Sequence, residues 1–253
     1  IIISFATLKK SILMIRKFCI IFIFSFALFA KSQTNSSEHL SGFAVVSLNY
    51  KHNPKWNAYL ELQERSIEDF SKPDYYEIKG GIGYNLDKSN QFFVGLGRYA
   101  TYKESKIANE EFRIWLQHTY SINVDKLKID NRIRLEKRFF HNAITDVNTN
   151  DERYRFRTAL TLPLNSEKMA PKTIFVNAFE ELFIGPNGDL FKRNRIFGGV
   201  GYVFNSSVST NLGYMWQREL NPNLRSLHFL YLAFNFTLDR AKLREHEPYN
   251  VAD

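Results

Sequence analysis

Alternation of apolar and charged residues is the clearest pattern in the chain, and it is longest between Leu127 and Phe139. The apolar face of this segment carries Leu127, Ile129, Ile133 and Leu135, and the charged face carries Lys128, Asp130, Arg132, Arg134, Glu136 and Arg138. A period of two residues is that of a β-strand. Strands of globular proteins are mostly about 3–10 residues long. A longer strand with one apolar and one charged face is typical of a tilted strand that crosses a bilayer.

Strand-sized segments follow one another from about residue 40 onward, with almost no helical period between them. Turn-forming residues separate them, as at residues 51–55, 87–90, 205–207 and 221–223. We predict eleven strands, near residues 42–50, 56–64, 74–86, 91–103, 111–122, 127–139, 152–162, 173–183, 191–204, 208–219 and 226–238. Runs at such regular spacing favour an all-β barrel or sandwich, and no linker or second domain is visible.

The number of strands and the lengths of their connections bear on the type of barrel. Bacterial single-chain barrels of the outer membrane have an even number of strands. Eleven segments therefore imply that one strand is missed or over-counted, most readily within residues 34–64.

The connections near 87–90, 123–126 and 205–207 are short, and those near 65–73, 104–110, 140–151 and 184–190 are longer and more polar. Such an alternation predicts periplasmic turns at one end and external loops at the other, although the link at 163–172 is long for a periplasmic turn.

The first 32 residues have the organisation of a secretory signal peptide. A basic stretch begins at Met14, and an apolar run extends from Cys19 to Ala30. Ala30-Lys31-Ser32 then forms a cleavage motif of the small-x-small type before Gln33. The apolar run is shorter than the roughly 17–25 residues of a membrane span. We expect residues 1–32, of which 1–13 lie upstream of a start Met, to be removed. Residues 33–253 are then predicted to form one outer-membrane domain, an antiparallel transmembrane β-barrel of ten or twelve strands with a short polar C-terminal tail.

Removal of the signal peptide changes the charge and the cysteine content of the protein. The segment holds five basic and no acidic residues, so the mature chain carries 29 basic and 26 acidic residues, a net charge of +3 instead of +8. A charge this small does not indicate nucleic-acid binding. The single cysteine, Cys19, is also lost, which excludes disulfides and sites built on cysteine. The aromatic content of 15% suits the aromatic girdles of membrane barrels.

Arginine recurs at alternate positions of several predicted strands, together with a smaller number of carboxylates. The resulting candidate network of charges in the lumen consists of Glu77, Asp130, Arg132, Arg134, Glu136, Arg138, Arg153, Arg155, Arg157, Glu181, Arg193 and Arg195. Charges inside a barrel are tolerated when they are paired or hydrated, and the arginine fork binds carboxylates in a bidentate manner. The network either fills the lumen and stabilises the barrel, or it lines a binding or selectivity site for small anionic solutes. A barrel of this size is largely filled by side chains, so a wide porin channel is not expected.

The remaining candidate chemistry is weak. The six histidines show no zinc-ligand spacing, and we predict no metal, no cofactor and no catalytic residue. The nearest candidate for a serine hydrolase is His118 with Ser121, but residues three apart on a strand point to opposite faces. The glycines at 80–83 and 198–201 precede turns and not helices, so they indicate close approach of strands and not a nucleotide site.

Four strand patterns stand out, namely the basic strand from Arg132 to Phe139, the segment Arg153–Arg157, the segment Asn194–Tyr202 and the triplet Gly213–Met215. Together they resemble the DUF2490 family of uncharacterised bacterial secreted proteins. The resemblance covers essentially the whole mature chain and implies an outer-membrane barrel. The family has no assigned activity, so the resemblance transfers no site residue.

The sequence therefore favours a monomeric, non-enzymatic barrel of the bacterial outer membrane with a structural or narrow solute-diffusion role. Its expected partners are outer-membrane lipid, the barrel-assembly machinery and small anionic solutes, without nucleic acid. One alternative is a lipid-modifying barrel enzyme, which requires Ser, His and Asn side chains together at the outer lipid boundary. Another is a soluble periplasmic barrel with an apolar ligand, which requires apolar residues inside and charges outside.

Overall fold

A computed structural model of the chain describes residues 40–67, 70–186, 190–220 and 224–240. The predicted signal peptide and most of the predicted C-terminal tail lie outside these residues. The described residues form one closed barrel of eleven strands. The strands are β1 (Leu40–Lys51), β2 (Trp56–Ile67), β3 (Lys72–Asn85), β4 (Asn90–Lys103), β5 (Lys106–Val124), β6 (Leu127–Asn142), β7 (Val147–Pro163), β8 (Ile174–Ile184), β9 (Phe191–Val203), β10 (Val208–Glu219) and β11 (Arg225–Asp239). The prediction of an all-β barrel is confirmed.

The barrel closes through a parallel pair of strands. Each strand is antiparallel to the next along the chain, but β1 and β11 run side by side, from Leu40 opposite His228 to Lys51 opposite Asp239. An odd number of up-and-down strands leaves the first and the last pointing the same way, so only a parallel pair can close the sheet. The prediction of ten or twelve strands is therefore wrong, because it assumed that every pair is antiparallel.

The loops do not alternate in length as the sequence suggested. Strands β5, β6 and β7 are 19, 16 and 17 residues long and absorb most of the polar segments expected to be external loops. Only residues 104–105 connect β4 to β5, and only residues 143–146 connect β6 to β7. The connection between β7 and β8, residues 164–173, is longer than either. Loop length thus does not distinguish the two ends of the barrel.

The short turn at residues 86–89 shows how polar side chains terminate a strand pair. The carboxylate of Asp87 accepts hydrogen bonds from the backbone amides of Ser89 and Asn90, both at 2.7 Å. Because these bonds favour the charged form, the pKa of Asp87 lies below its ordinary value. The bonds stabilise the reversal of the chain between β3 and β4.

A band of the outer surface of the barrel is apolar. Ile82, Val94 and Leu116 are each 56% exposed although they lie in regular strands. They belong to a row of directly paired residues that crosses six strands: Ile82, Val94, Leu116, Leu135, Tyr154 and Ile184. No helix among the described residues is long and apolar enough to cross a membrane.

The interior has a charged sector and an apolar sector. Charged side chains point inward along β2, β3 and β5 to β9, which is the reverse of the arrangement that a soluble barrel with an apolar interior requires. The apolar cluster lies along β1 and β9 to β11 and consists of Phe43, Val45, Phe197, Met215, Phe229 and Ala233. The sequence pattern did not separate these two sectors, because the strands of the apolar sector also carry apolar residues on their outer face.

Inward-facing glycines make room for aromatic rings in the lumen. A Cβ atom placed on Gly95 would overlap the indole ring of Trp115, and one placed on Gly201 would overlap the ring of Phe175. Each ring therefore lies across the neighbouring strand. The glycine-rich segments thus serve close packing, in line with the reading of the sequence.

Candidate functional site

The interior of the barrel encloses a cavity of about 1230 Å³. Its wall carries twelve basic side chains, Arg65, Lys79, Arg113, Arg132, Arg134, Arg138, Arg153, Arg155, Arg157, Arg193, Arg195 and Arg225. It carries six acidic side chains, Glu61, Asp74, Glu77, Glu111, Glu181 and Glu219. Two further carboxylates, Glu136 and Asp151, lie next to the wall and pair with its arginines. Twelve basic against eight acidic groups leave an excess of four positive charges.

The structure brings eleven of the twelve predicted network residues to this wall or directly under it, and Asp130 is the one that lies apart. Asp130 is near the turn between β5 and β6, where it pairs with Lys128 at 2.9 Å and accepts a hydrogen bond from Ser121. It faces inward as predicted, but it is too near the end of the barrel to meet the arginines.

Glu136 is the most deeply buried carboxylate of the network, with no exposed side-chain surface. Its Oε2 accepts a hydrogen bond from Nε of Arg153 at 2.7 Å and lies 2.6 Å from Nη2 of the same guanidinium. Its Oε1 accepts a hydrogen bond from Nη1 of Arg155 at 3.0 Å. Arg134 and Arg113 lie slightly further away, at 3.7 and 3.8 Å. Four cations around one carboxylate satisfy that carboxylate fully but leave the group of charges positive.

Glu181 forms the second centre of the network. Arg155 binds it through Nε and Nη2 at 3.1 and 2.7 Å, a bidentate arrangement. Nη2 of Arg132 also donates to Glu181, and Nη1 of Arg195 lies 3.9 Å away. Arg155 thus joins the two centres, because it contacts both Glu136 and Glu181.

Two smaller groups extend the charged wall. On β5 and β6, Glu111 accepts hydrogen bonds from Nε and Nη2 of Arg138 at 2.9 and 3.0 Å and from Nε of Arg113 at 2.6 Å. On β2 and β3, Lys79 contacts both Glu77 and Glu61. The pairs in these groups are well matched in charge and geometry.

Aromatic rings lie between the guanidinium groups. The ring of Phe183 is almost fully buried and has four arginines within about 5 Å of its centroid: Arg153 at 5.1, Arg155 at 4.6, Arg193 at 5.3 and Arg195 at 5.0 Å. Arg113 lies 3.7 Å from the ring centroid of Tyr99. Each such contact stabilises a desolvated cation. The rings therefore stabilise the positively charged side chains of the cavity wall.

The sequence reading missed part of the wall. Glu111 and Arg113 on β5 and Lys79 on β3 lie next to apolar residues in an alternating pattern like that of the strand at 127–139, and the same two-residue period could have identified them. Arg65 on β2 lies between Glu64 and Ser66, so its neighbours gave no such signal. The supporting rings of Phe183 and Tyr99 carried no such signal, because an inward aromatic residue looks like an outward one in an alternating pattern.

The two candidates for catalysis do not meet. Nε2 of His118 bonds to Oδ1 of Asn90 at 3.1 Å on the outer side, next to the ring of Phe92. The hydroxyl of Ser121 donates to Asp130 on the inner side. In the parts of the chain that the structure describes, no group of three or more His, Cys, Asp or Glu side chains is placed to hold a metal ion.

The comparison with protein families confirms the resemblance that the strand patterns indicated. The model of DUF2490, described as a protein of unknown function, matches residues 41–227. No curated protein matches the chain. Among solved structures, the siderophore receptor PirA from Pseudomonas aeruginosa aligns with a TM-score of 0.31 and 10% identity over 77% of this chain. The alignment covers 40% of that receptor. The matched residues contain almost all of β1 to β10 and the beginning of β11, and the chain belongs to the DUF2490 family.

Proposed function

We propose that the protein is a β-barrel of the bacterial outer membrane whose lumen binds or conducts small anionic solutes. The membrane location is supported by the distribution of side chains, because exposed apolar residues lie on the outside of the barrel and charged residues lie inside. Soluble monomers rarely expose an apolar surface of this extent. Membrane barrels have an apolar outer band and a polar interior.

The excess of positive charge on the cavity wall supports the anionic class of solute. Rings of basic side chains select anions in pores, and a narrow basic lumen raises the local concentration of anions. The bidentate pairs of Arg155 and Arg138 fill space and stabilise the barrel. The arginines that exceed the carboxylates in number remain available to bind an anionic solute.

The location is tested by fractionation of cells that produce the full chain. We expect the protein in the outer-membrane fraction, with a mobility on gels that changes on heating. Recovery in the soluble periplasmic fraction would contradict the proposal.

The solute class is tested by conductance across planar bilayers with a salt gradient. Arg134 lies on the cavity wall, and its guanidinium binds the neutral amide of Gln117 at 2.9 and 2.6 Å. Arg134→Glu is expected to move the reversal potential toward cation preference. Lys137→Glu is the matched control, because Lys137 is on the outer face of the same strand and 43% exposed. Equal reversal potentials in both variants would mean that the network only fills the lumen.

A further inference from the structure

One row of inward residues carries more positive charge than its carboxylate can balance. Across the strands, Arg132 lies opposite Arg157, Arg157 opposite Glu181, and Glu181 opposite Arg195. Both oxygens of Glu181 are already bound by Arg155 from the adjacent row. Like charges directly opposite each other destabilise a sheet. The row therefore favours a further anion.

Two guanidinium groups of this row have donors without a protein acceptor. Nε of Arg132 and Nε of Arg157 are buried and have no hydrogen-bond partner among the described residues. Arg157 also makes no ion pair within 4.0 Å in the part of the chain that the structure describes. Arg195 gives its Nε to the neutral amide of Gln217 at 2.5 Å. All three arginines line the cavity, so an acidic group there could accept these donors.

An aromatic surface adjoins this arginine row. Phe179, two residues before Glu181 on β8, lies 5.5 Å from the guanidinium carbon of Arg157. Its ring stacks on Phe197 at 5.0 Å, and Phe197 contacts Tyr231 at 4.9 Å. Phe179 and Tyr231 both line the cavity, while Phe197 is buried behind them. The surplus positive charge thus lies where the charged sector of the lumen meets the apolar sector.

We propose that this junction binds a small amphiphilic anion. Its acidic group contacts Arg132, Arg157 and Arg195, and its aromatic or hydrocarbon part packs on Phe179 and Tyr231. An inorganic anion would use only the arginines, whereas an organic acid with an apolar part uses both surfaces. The cavity, at about 1230 Å³, has room for such a molecule. The inference rests on the proposed anion-binding lumen and specifies its ligand class.

The test is calorimetric titration of the full-length barrel in lipid nanodiscs, with empty nanodiscs as the blank. The probes are 2-naphthoate, the neutral 2-naphthylmethanol, acetate and inorganic phosphate. We expect saturable binding of 2-naphthoate and binding weaker by about tenfold or more for the other three, since each lacks one of the two contacts or the matching charge.

Variants assign the binding to the junction. Arg157→Gln is expected to weaken 2-naphthoate binding by about tenfold or more, and Arg157→Lys to weaken it less, because the lysine keeps the charge but loses the fork. Phe179→Leu should weaken binding of 2-naphthoate without changing that of acetate. Arg98→Gln is the matched control, because Arg98 lies on the outer face, 62% exposed. Heat-modifiable mobility verifies that each variant is folded.

The outcomes separate this inference from the proposed function. If acetate or phosphate binds as tightly as 2-naphthoate and depends equally on Arg157, the lumen binds anions but the amphiphilic class is wrong. If folded Arg157→Gln and Arg157→Lys both bind 2-naphthoate like the wild type, the site is wrong even if conductance shows anion preference. If no anion binds and conductance shows no preference, both proposals are wrong.

Discussion

At the scale of single residues, Glu181 organises the charges of the lumen. It accepts hydrogen bonds from Arg155 on the neighbouring strand and from Arg132 two strands away, and its side chain is only 3% exposed. Burial of so many charges costs solvation energy, which the attraction between them offsets only while the carboxylate is present. Together with Glu136, Glu181 therefore compensates the arginines of the barrel wall at β6 to β8.

Glu181→Gln is predicted to destabilise the barrel by about 3–5 kcal/mol, because it removes one partner of a buried ion pair and leaves arginines uncompensated. Urea-induced unfolding of the refolded barrel in lipid vesicles measures the change. The control is Glu110→Gln, which breaks the outer-face pair of Glu110 with Arg98 at 2.6 Å. The side chains of Arg98 and Glu110 are 62% and 30% exposed, so the pair should contribute no more than about 1 kcal/mol. Equal unfolding midpoints for the two variants would contradict the role given to Glu181.

At the scale of the strand, small and large inward residues on adjacent strands complement each other. Gly95 on β4 pairs directly with Trp115 on β5, and the indole lies over the glycine and stacks on Phe93. The interior thus fills without forcing the strands apart.

Gly95→Ala is predicted to destabilise the barrel by about 1–3 kcal/mol, because the added methyl group overlaps the indole of Trp115 and forces the core to shift. Gly198→Ala is the matched control, since a Cβ at Gly198 meets no atom within 4 Å. We expect the control to be as stable as the wild type or slightly more so, because glycine weakens a strand relative to alanine. Unfolding in urea compares them, and a Gly95→Ala variant as stable as Gly198→Ala would refute this packing argument.

The hairpin between β4 and β5 explains why the expected loop at 104–110 is absent. Glu104 and Ser105 both have positive φ angles, 52° and 62°, as the two central residues of a type I′ turn require. Glycine or asparagine usually occupies such positions, so the sequence carried no hairpin signal there. The pairing of β4 with β5 continues to Lys103 opposite Lys106. This pairing overrides the preference of Glu104 and Ser105 for negative φ angles.

At the scale of the whole molecule, the parallel closure determines where the two ends of the described barrel lie. Leu40 begins β1 at one rim, and Asp239 ends β11 at the other rim, beside Lys51. In an even-numbered barrel of this type, the first and last strands are antiparallel and begin and end at the same rim. Eleven strands therefore change the topology as well as the diameter.

A disulfide across the seam tests this closure. Ser47 lies opposite Asn235 in the β1 and β11 register, and its hydroxyl donates to Oδ1 of Asn235 at 2.8 Å. Ser47→Cys with Asn235→Cys is predicted to cross-link on oxidation, because adjacent strands lie about 4.8 Å apart, within disulfide range. Mass spectrometry of the linked peptides is the readout, and the only native cysteine is Cys19, in the predicted signal peptide.

The control for the seam is Ser47→Cys with Ser209→Cys. Ser209 pairs with Asn235 from the other side, so it is two strands from Ser47, about 10 Å away and too far for a disulfide. A barrel in which another strand separated β1 from β11 would give no cross-link between positions 47 and 235. That result would restore an even number of strands.

The sequence by itself determined the properties that depend on local periodicity. The period of two residues located all eleven strands and predicted that Arg132, Arg134 and Arg138 share the inner face, because successive side chains of a strand must point to opposite sides. It also predicted the inverted polarity of the barrel, since one face of the long strands is charged and the other apolar. The excess of arginine over carboxylate on that face was visible in the same way.

Only the tertiary structure decided which residues meet across strands. Arg132 and Glu181 are 49 positions apart and come together through the registers of β6, β7 and β8, which no local pattern specifies. The charged strand that begins at Leu127 also contains Asp130. Its side chain faces the lumen, but it lies too near the end of the barrel to reach the arginines. Closure by a parallel pair, the division into charged and apolar sectors, and the junction between them follow from how the sheet closes. That is a global condition, because every strand must find two neighbours at once.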